Sequence, residues 1–186
     1  MAAIDTYDAV VLGSGEAGKY MAWHLGAAGR RVIVVEQRYV GGSCPNIACL
    51  PSKNFIHGAG IARIVATSEA LGARVARGVS MREIQALKKA MVEGLVQTHL
   101  DRFASSGCEL VMGRGCFIAE RTIEVALNGG GARTLRGDKV FLDLGAFASL
   151  PPLLGLAESA PLTHVEPFRR SFAPGRLAEG EASSKL

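Results

Sequence analysis

A glycine-rich turn close to the N-terminus constrains the fold of this chain more than any other feature. It reads Gly13-Ser14-Gly15-Glu16-Ala17-Gly18 and follows an apolar, β-branched run over residues 7–12, which predicts a buried strand. Residues 16–28 predict a helix that Gly29 ends, and residues 31–36 predict a second strand. A lone G-x-G-x-x-G pattern is weak, but inside a βαβ unit it indicates a dinucleotide site.

Each glycine of this turn has a predicted task, and so does the acid that ends the second strand. Gly13 makes the tight turn, Gly15 lets the backbone approach a pyrophosphate, and Gly18 permits close packing of helix on strand. The N-terminus of the helix offers N–H groups and the positive end of its dipole to the phosphates. Glu36 is predicted to accept hydrogen bonds from a ribose 2′-hydroxyl, with a solvated strand end as the alternative.

A second motif follows the βαβ unit directly. Residues 41–53 read Gly-Gly-Ser-Cys-Pro-Asn-Ile-Ala-Cys-Leu-Pro-Ser-Lys, so Cys44 and Cys49 lie between a glycine pair and Pro-Ser-Lys. The spacing of the cysteines alone is weak, because unrelated cysteines reach it by chance. With these flanks the segment resembles the redox-active disulfide motif of the class I pyridine nucleotide-disulfide oxidoreductases. That family of flavoproteins includes dihydrolipoamide dehydrogenase, glutathione reductase and mercuric reductase.

The resemblance implies a disulfide between Cys44 and Cys49, and helix geometry shows why such a pair needs special surroundings. Residues five apart in a regular helix have Cα atoms about 8–9 Å apart, whereas a disulfide needs roughly 4.4–6.8 Å. The first turn must therefore be irregular, and Pro45 allows this because it lacks an N–H and fits only the start of a helix. A bridge bent in this way is expected to be more reducible than a structural one.

The resemblance also implies roles for single residues. Cys44 matches the cysteine that exchanges with the thiol substrate, and Cys49 matches the one that contacts the flavin. Lys53 matches a lysine near the reactive edge of the flavin, where a positive charge favours the reduced, anionic form; a solvated helix residue is the alternative. Leu144 stands where the family often has threonine, so weak FAD binding is expected. The implied FAD-binding residues are Gly13, Gly15, Glu16, Ala17, Gly18, Glu36, Gly42, Ser43, Lys53, Gly115 and Gly145.

The order of predicted elements supports the same fold class. A helix is predicted over 50–66, and a capping box at 80–83 opens another helix, whose apolar stripe is predicted to face the core. That stripe comprises Ile84, Leu87, Met91 and Leu95. Short strands are predicted over 109–112, 116–119, 122–127 and 133–135, with a turn at 128–131 and a closing strand over 139–144. We expect an α/β, Rossmann-like FAD-binding domain over 1–156, with a parallel sheet and a small antiparallel β-meander, and a linker with a disordered tail over 157–186.

Composition excludes several classes of function. At 186 residues with 48% hydrophobic residues the chain can bury a core, but its apolar runs are too short to span a membrane. Lys and Arg are scattered and no nucleic-acid-binding module is visible, so no nucleic-acid partner is expected despite a net charge of +4. Cys108 and Cys116 are predicted to be inert, and the cysteines and histidines have no metal-ligand spacing.

The localisation of the chain is predicted from its two ends. Its start lacks the blocks of a signal peptide, so a cytoplasmic location is the default. The final residues, Ser184-Lys185-Leu186, also match a peroxisomal address.

Two functional hypotheses remain open at this point. The sequence contains one G-x-G-x-x-G pattern, assigned to FAD, and therefore resembles the first third of a family member, without the NAD(P)H-binding and dimer-interface domains. The first hypothesis is an oxidoreductase that passes electrons from NAD(P)H through FAD to Cys44 and Cys49. The second is a non-catalytic FAD-binding fragment, or one part of a split enzyme whose remaining domains are a separate chain. A homodimer is compatible with either, and lipoamide, glutathione and mercuric ion are equally compatible acceptors.

Overall fold

The fold was obtained from a computed structural model, which describes residues 3–72, 80–161 and 163. Five strands and four α-helices follow one another along these residues, with a short 3-10 turn after the third helix. The elements are β1 (Ile4–Leu12), α1 (Glu16–Ala27), β2 (Val32–Glu36), α2 (Ser43–Asn46), α3 (Cys49–Thr67), the 3-10 turn (Ser68–Leu71), α4 (Met81–Ser105), β3 (Glu109–Ala119), β4 (Thr122–Leu127) and β5 (Ala132–Leu142). The predicted βαβ unit is present, and its boundaries differ from the prediction by three residues or fewer.

The five strands form one closed, mixed sheet. β1 lies between β2 and β5 and is parallel to both, and β3 continues the parallel part beside β2. β4 is antiparallel to β3 and to β5 and so closes the sheet. The α/β class predicted from the sequence, with parallel strands and an antiparallel meander, is confirmed. Because parallel strands end at one edge, the fingerprint turn after β1 lies at the same edge as the ends of β2 and β5.

The long strands β3 and β5 differ from the prediction, which divided each of them into two. β3 pairs with β2 in its first part and with β4 in its second part. Gly113 lies at the change of partner, where a Cβ atom would lie 2.6 Å from the carbonyl oxygen of Ala126. In β5, a Cβ atom on Gly137 would lie 2.6 Å from the carbonyl oxygen of Lys139. Both glycines therefore let a continuous strand bend and approach other backbone, instead of ending it.

Alternating residues of β1 and β2 supply two hydrophobic clusters, one on each face of the sheet. The first cluster comprises Tyr7, Val10, Leu12, Ile33, Val35, Ile123, Val125 and Leu135 and lies on the face that β4 and β5 enclose. The second comprises Ala9, Val11, Ala22, Trp23, Val32, Val34, Val40 and Phe103 and packs the sheet against α1 and the C-terminal part of α4. All five residues of β2 are buried, as expected for a parallel strand covered on both faces.

A charged cluster joins three strands at the amino end of the sheet. Arg133 of β5 donates to Asp5 of β1 at 2.8 Å and also pairs with Glu109 of β3. The hydroxyl of Tyr7 donates to Glu109. Burial alone would raise the pKa of Glu109, but the hydrogen bonds from Arg133 and Tyr7 outweigh it, so the pKa is lowered from its usual value.

The chain divides into two compact units. The sheet unit comprises Met1–Asn46 with Gly94–Phe147, and the helical unit comprises Ile47–Glu93 with Ala148–Leu186. This division differs from the domain boundary predicted near residue 156, which remains a prediction. Most of the predicted tail, residues 157–186, lies outside the described residues.

The predicted capping box begins α4 as expected, and the predicted apolar stripe of that helix is only partly buried: Ile84, Met91 and Leu95 are half-buried. The backbone N–H of Glu83 donates to the hydroxyl of Ser80 at 3.3 Å. Leu87, however, has 67% of its surface exposed. Other apolar residues of α4, in the part of the helix that belongs to the sheet unit, pack in the second cluster: Val96, Leu100 and Phe103. No helix among the described residues combines the length and the apolar character needed to cross a membrane.

Candidate functional site

The fingerprint turn has the geometry that its glycines predict. Gly13 has φ +99°, and a Cβ atom there would lie 2.0 Å from the carbonyl oxygen of Asp143. A Cβ atom on Gly18 would lie 2.4 Å from the carbonyl oxygen of Gly13, so α1 packs directly on the turn. Any larger residue at either position would force the turn, α1 and the end of β5 apart.

Glu36 is buried and holds the fingerprint turn. Its Oε2 accepts from the backbone N–H and the hydroxyl of Ser14, at 3.0 and 2.8 Å. Its Oε1 accepts from the N–H groups of Arg38 and Tyr39 at 2.7 and 2.8 Å. The four acceptor positions of a carboxylate are thus occupied by the chain itself. The predicted contact with a ribose hydroxyl remains a prediction, and the structure adds a positioning role that the sequence did not reveal.

The glycine pair that precedes the cysteines packs on the fingerprint. Gly42 has φ +82°, and a Cβ atom there would lie 2.7 Å from the Cα atom of Gly15. The N–H of Gly41 donates to the hydroxyl of Ser14 at 3.0 Å, and the side-chain amide of Asn46 donates to the carbonyl of Gly42 at 2.8 Å. Two segments that the sequence assigned to one FAD site therefore touch at Gly15 and Gly42.

A buried lysine forms hydrogen bonds to both of these segments. Lys19 is 2% exposed, and its Nζ donates to Glu16 at 2.6 Å and to the carbonyl of Gly41 at 3.3 Å. His99 of α4 lies under the same loop, where a Cβ atom on Gly41 would come within 2.8 Å of its Nδ1. Burial lowers the pKa of His99, and the positive charge of Lys19 lowers it further, so the neutral imidazole is favoured there.

An aspartate that the sequence did not single out completes the turn. Asp143 follows β5, and its N–H donates to the carbonyl of Leu12 at 2.8 Å. Its Oδ2 accepts from the N–H of Gly18, in the first turn of α1, at 2.7 Å. The sequence signal for this residue was present but unused, since it is an acid directly after a parallel strand, at the edge where such sheets bind ligands.

Other residues at the turn also have roles that the motif did not predict. Each of them forms a hydrogen bond within or between the fingerprint turn, the end of β2 and the loop of the glycine pair. These residues are Ser14, Lys19, Gly41 and Asn46.

The remaining predicted residues lie at various depths. Cys44 is half-buried in α2, and Cys49 is exposed at the start of α3. Lys53 is exposed on α3, and Gly145 is exposed with open space around it. A Cβ atom on Gly115 would lie 2.8 Å from the side chain of Leu12, so packing within the sheet already favours a small residue there. Their predicted roles toward the flavin remain predictions, as do those of the exposed Glu16, Ala17 and Ser43.

The two other cysteines have ordinary surroundings. The thiol of Cys108 donates to the carbonyl of Ala22 at 2.8 Å and packs against α1. Cys116 is exposed on β3. Within the described ranges, no group of three or more His, Cys, Asp or Glu is placed to hold a metal ion.

A surface groove of about 820 Å³ lies elsewhere in the sheet unit. It is lined by residues of α1 and α4, including Tyr20, Trp23 and Arg102, and by none of the predicted site residues. The fingerprint turn, and not this groove, therefore remains the candidate site.

The fit of the turn to a dinucleotide follows from these contacts. α1 begins at the turn, and Gly15 leaves its backbone without a side chain at the helix N-terminus. Such a terminus stabilises phosphate through N–H donors and the helix dipole. The fold and the turn together have the geometry of a dinucleotide-binding α/β domain, and the cysteine motif follows its second strand in the sequence.

Comparison with known proteins supports this class. The sequence pattern of the family described as pyridine nucleotide-disulphide oxidoreductase matches residues 7–178. Mercuric reductase of Acidithiobacillus ferrooxidans is 30% identical over 178 residues, covering 90% of this chain and 31% of that protein. Dihydrolipoamide dehydrogenase of Chaetomium thermophilum is 29% identical over 173 residues, covering 91% of this chain and 34% of that protein.

Solved structures show the same likeness. The Cu(II) complex of the HOCl-induced flavoprotein disulfide reductase RclA from Escherichia coli matches with a TM-score of 0.68 and 27% identity, over 82% of this chain and 32% of that one. A mutant of the same reductase matches with a TM-score of 0.74 and 25% identity, over 90% of this chain and 35% of that one.

These matches establish the family. The chain belongs to the pyridine nucleotide-disulphide oxidoreductases, as its motifs predicted. It spans about a third of the length of the relatives it matches.

Proposed function

We propose that this chain binds FAD at the fingerprint turn and uses Cys44 and Cys49 as a redox-active pair. The observation that carries the proposal is the contact of Gly42 with Gly15, where a Cβ atom would lie 2.7 Å from the neighbouring backbone. It brings the cysteine motif's glycine pair against the phosphate turn without an intervening side chain. Membership of a flavin-dependent family supports the choice of FAD over NAD.

In this proposal the residues of the turn hold the adenine half of the cofactor. The N-terminus of α1 faces the pyrophosphate, Gly15 and Gly42 add no side chain of their own to the approach, and Glu36 keeps the turn in place. FAD, when bound, supplies the chemistry that links a two-electron nicotinamide donor to a disulfide. Lys53 and Gly145 are proposed to contact the flavin on the basis of the family motif.

The cysteines carry the thiol–disulfide chemistry. The thiolate of Cys44 attacks one sulfur of a disulfide substrate and releases the other sulfur as a thiolate, which leaves a mixed disulfide on Cys44. Cys49 then attacks the Cys44 sulfur, so that the second substrate thiolate leaves and the pair closes to a disulfide as the substrate is reduced by two electrons. With a soft metal ion as the acceptor, the two thiolates would bind the ion instead. The pair is proposed to open again when two electrons return to it. The acceptor is a disulfide or a thiophilic ion, in line with the family's range from dihydrolipoamide dehydrogenase to mercuric reductase.

The supply of those electrons requires a nicotinamide site. These 186 residues contain one dinucleotide fingerprint, which we assign to FAD. We therefore propose that NAD(P)H-dependent turnover depends on a second, nicotinamide-binding polypeptide segment. A cytoplasmic location is part of the same proposal, since the pair must be reduced to act.

A titration of the purified chain with FAD tests the cofactor assignment. We expect quenching of flavin fluorescence with a measurable Kd, and loss of that binding in Gly15→Val, because the added side chain fills the approach to the phosphate turn. Gly129→Val is the matched control, since Gly129 lies in the β4–β5 turn with no atom near its Cβ position. If the wild-type chain binds no FAD by fluorescence or calorimetry, the proposed site is wrong.

A further inference from the structure

The carboxylate of Asp143 lies against the phosphate turn at the start of α1. Its Oδ2 accepts from the N–H of Gly18 at 2.7 Å. Cβ atoms on Gly15 and Gly18 would lie 2.7 and 2.9 Å from that same oxygen. One carboxylate oxygen therefore fills the space that both glycines leave free at the start of α1.

The position of Asp143 is fixed by backbone and not by its side chain alone. The N–H of Asp143 donates to the carbonyl of Leu12, and the carbonyl oxygen of Asp143 would lie 2.0 Å from a Cβ atom on Gly13. The pairing of β5 with β1 therefore places the carboxylate of Asp143 next to the turn. The position of this acid is thus part of the fold of the sheet.

Among the described residues, the carboxylate of Asp143 faces the N-terminus of α1 and forms no ion pair. Lys19, the buried cation nearby, is engaged with Glu16 and with the carbonyl of Gly41. A negative group at a helix N-terminus is stabilised there. The carboxylate consequently satisfies, within the protein, the same N–H and dipole that a phosphate would use.

We propose that Asp143 is a specificity-determining residue that lowers the affinity of the fingerprint for phosphate-bearing ligands by acting as a resident anion. This proposal rests on the proposed FAD site and adds to it the residue that sets its affinity. A diphosphate approaching Gly15 meets a fixed negative charge, and it must displace the carboxylate from Gly18 or share the helix terminus with it. Either route weakens binding, because like charges repel strongly at a partly buried site.

The variant Asp143→Asn separates charge from shape. Asparagine has the size of aspartate, and its amide oxygen can still accept from Gly18. Asp138→Asn is the matched control, since it removes the same charge from an exposed position of β5, the strand that Asp143 follows. Binding is measured by calorimetry for FAD, ADP, inorganic pyrophosphate and riboflavin, the last of which has no phosphate.

We expect Asp143→Asn to bind FAD and ADP on the order of tenfold more tightly than the wild-type chain. Riboflavin should be unaffected, and Asp138→Asn should match the wild type. Equal or weaker binding by Asp143→Asn, with wild-type FAD binding intact, would overturn the proposal and leave the FAD assignment standing. Asp143→Ala cannot replace Asp143→Asn in this test, because alanine also removes the oxygen that accepts from the N–H of Gly18 at the start of the helix.

The two proposals can fail separately. Tighter binding of pyrophosphate and ADP by Asp143→Asn, without FAD binding by any variant, would support the role of Asp143 and refute FAD as the ligand. Absence of binding of every phosphate compound to both Asp143→Asn and the wild type would refute both.

Discussion

Ser14 and Glu36 are joined by two hydrogen bonds to a single oxygen, because both the backbone N–H and the hydroxyl of Ser14 donate to Oε2 of Glu36. The hydroxyl in turn accepts from Gly41. A residue in the fingerprint turn, the acid at the end of β2 and the glycine pair before the cysteines are thus linked through two side chains. Glu36 therefore holds the fingerprint turn and, through Ser14, the loop of the glycine pair.

Replacing Glu36 with glutamine should destabilise the fold. Glutamine keeps the size of the side chain. Both oxygens of Glu36 accept hydrogen bonds, however, so the NH₂ group of glutamine would face N–H and O–H donors without an acceptor. Because Glu36 is 7% exposed, we expect a loss of about 2 kcal/mol in the free energy of unfolding. Urea denaturation followed by circular dichroism measures it. Glu124→Gln, at an exposed position of β4, should change stability by less than about 0.5 kcal/mol.

The pairing of cysteines can be mapped directly. We expect Cys44 and Cys49 to form a disulfide in the oxidised protein, as the motif implies, while Cys108 and Cys116 remain thiols. Cys108 is held against α1 by its contact with Ala22, and no chemistry is assigned to Cys116. Differential alkylation with mass spectrometry before and after mild reduction identifies the pairs. A Cys108–Cys116 bridge with Cys44 alkylated would contradict the assignment.

Acid should destabilise the protein through Glu109. Its pKa is lowered in the folded state by Arg133 and Tyr7, so its contribution to stability is present above the unfolded value of 4.5 and is lost as pH falls through the folded pKa. The side chain is 44% exposed, which limits the contribution to about 0.5–1 kcal/mol after solvent screening. Glu109→Gln should therefore show a smaller loss of unfolding free energy between about pH 6 and pH 3 than the wild type. An unchanged pH dependence would show that the cluster is not coupled to folding.

Turnover by the isolated chain should be negligible. These 186 residues contain one dinucleotide fingerprint, which we assign to FAD and not to the nicotinamide. Acid–base assistance of the kind that family members use contributes a further factor of about 10²–10⁴. We expect no sustained oxidation of NADH or NADPH with disulfide acceptors, even when FAD is added, as followed by nicotinamide absorbance. Sustained oxidation that disappears in Cys49→Ser would show that these residues suffice for catalysis.

The sequence determined the local elements and the class of site. The βαβ unit, the stop at Gly29, the start of α4 at Ser80 and the turn at 128–131 could be predicted because each depends on neighbouring residues and on hydrophobic period. The family could be predicted for a similar reason, since each of its two motifs is a short, uninterrupted stretch of sequence.

Tertiary structure decided what these motifs touch. Gly113 continues its strand because the backbone of β4 occupies the space beside it. Beside Gly137 that space is occupied by the carbonyl of Lys139 in the same strand and by the backbone of Val10 in β1. The predicted core face of α4 fails at Leu87 because burial depends on which partner a helix meets, and helical period does not encode that partner. Asp143 reaches Gly18 across 125 positions of sequence because β5 pairs in parallel with β1. Such a contact depends on strand order and register, and no local pattern in the chain specifies either one.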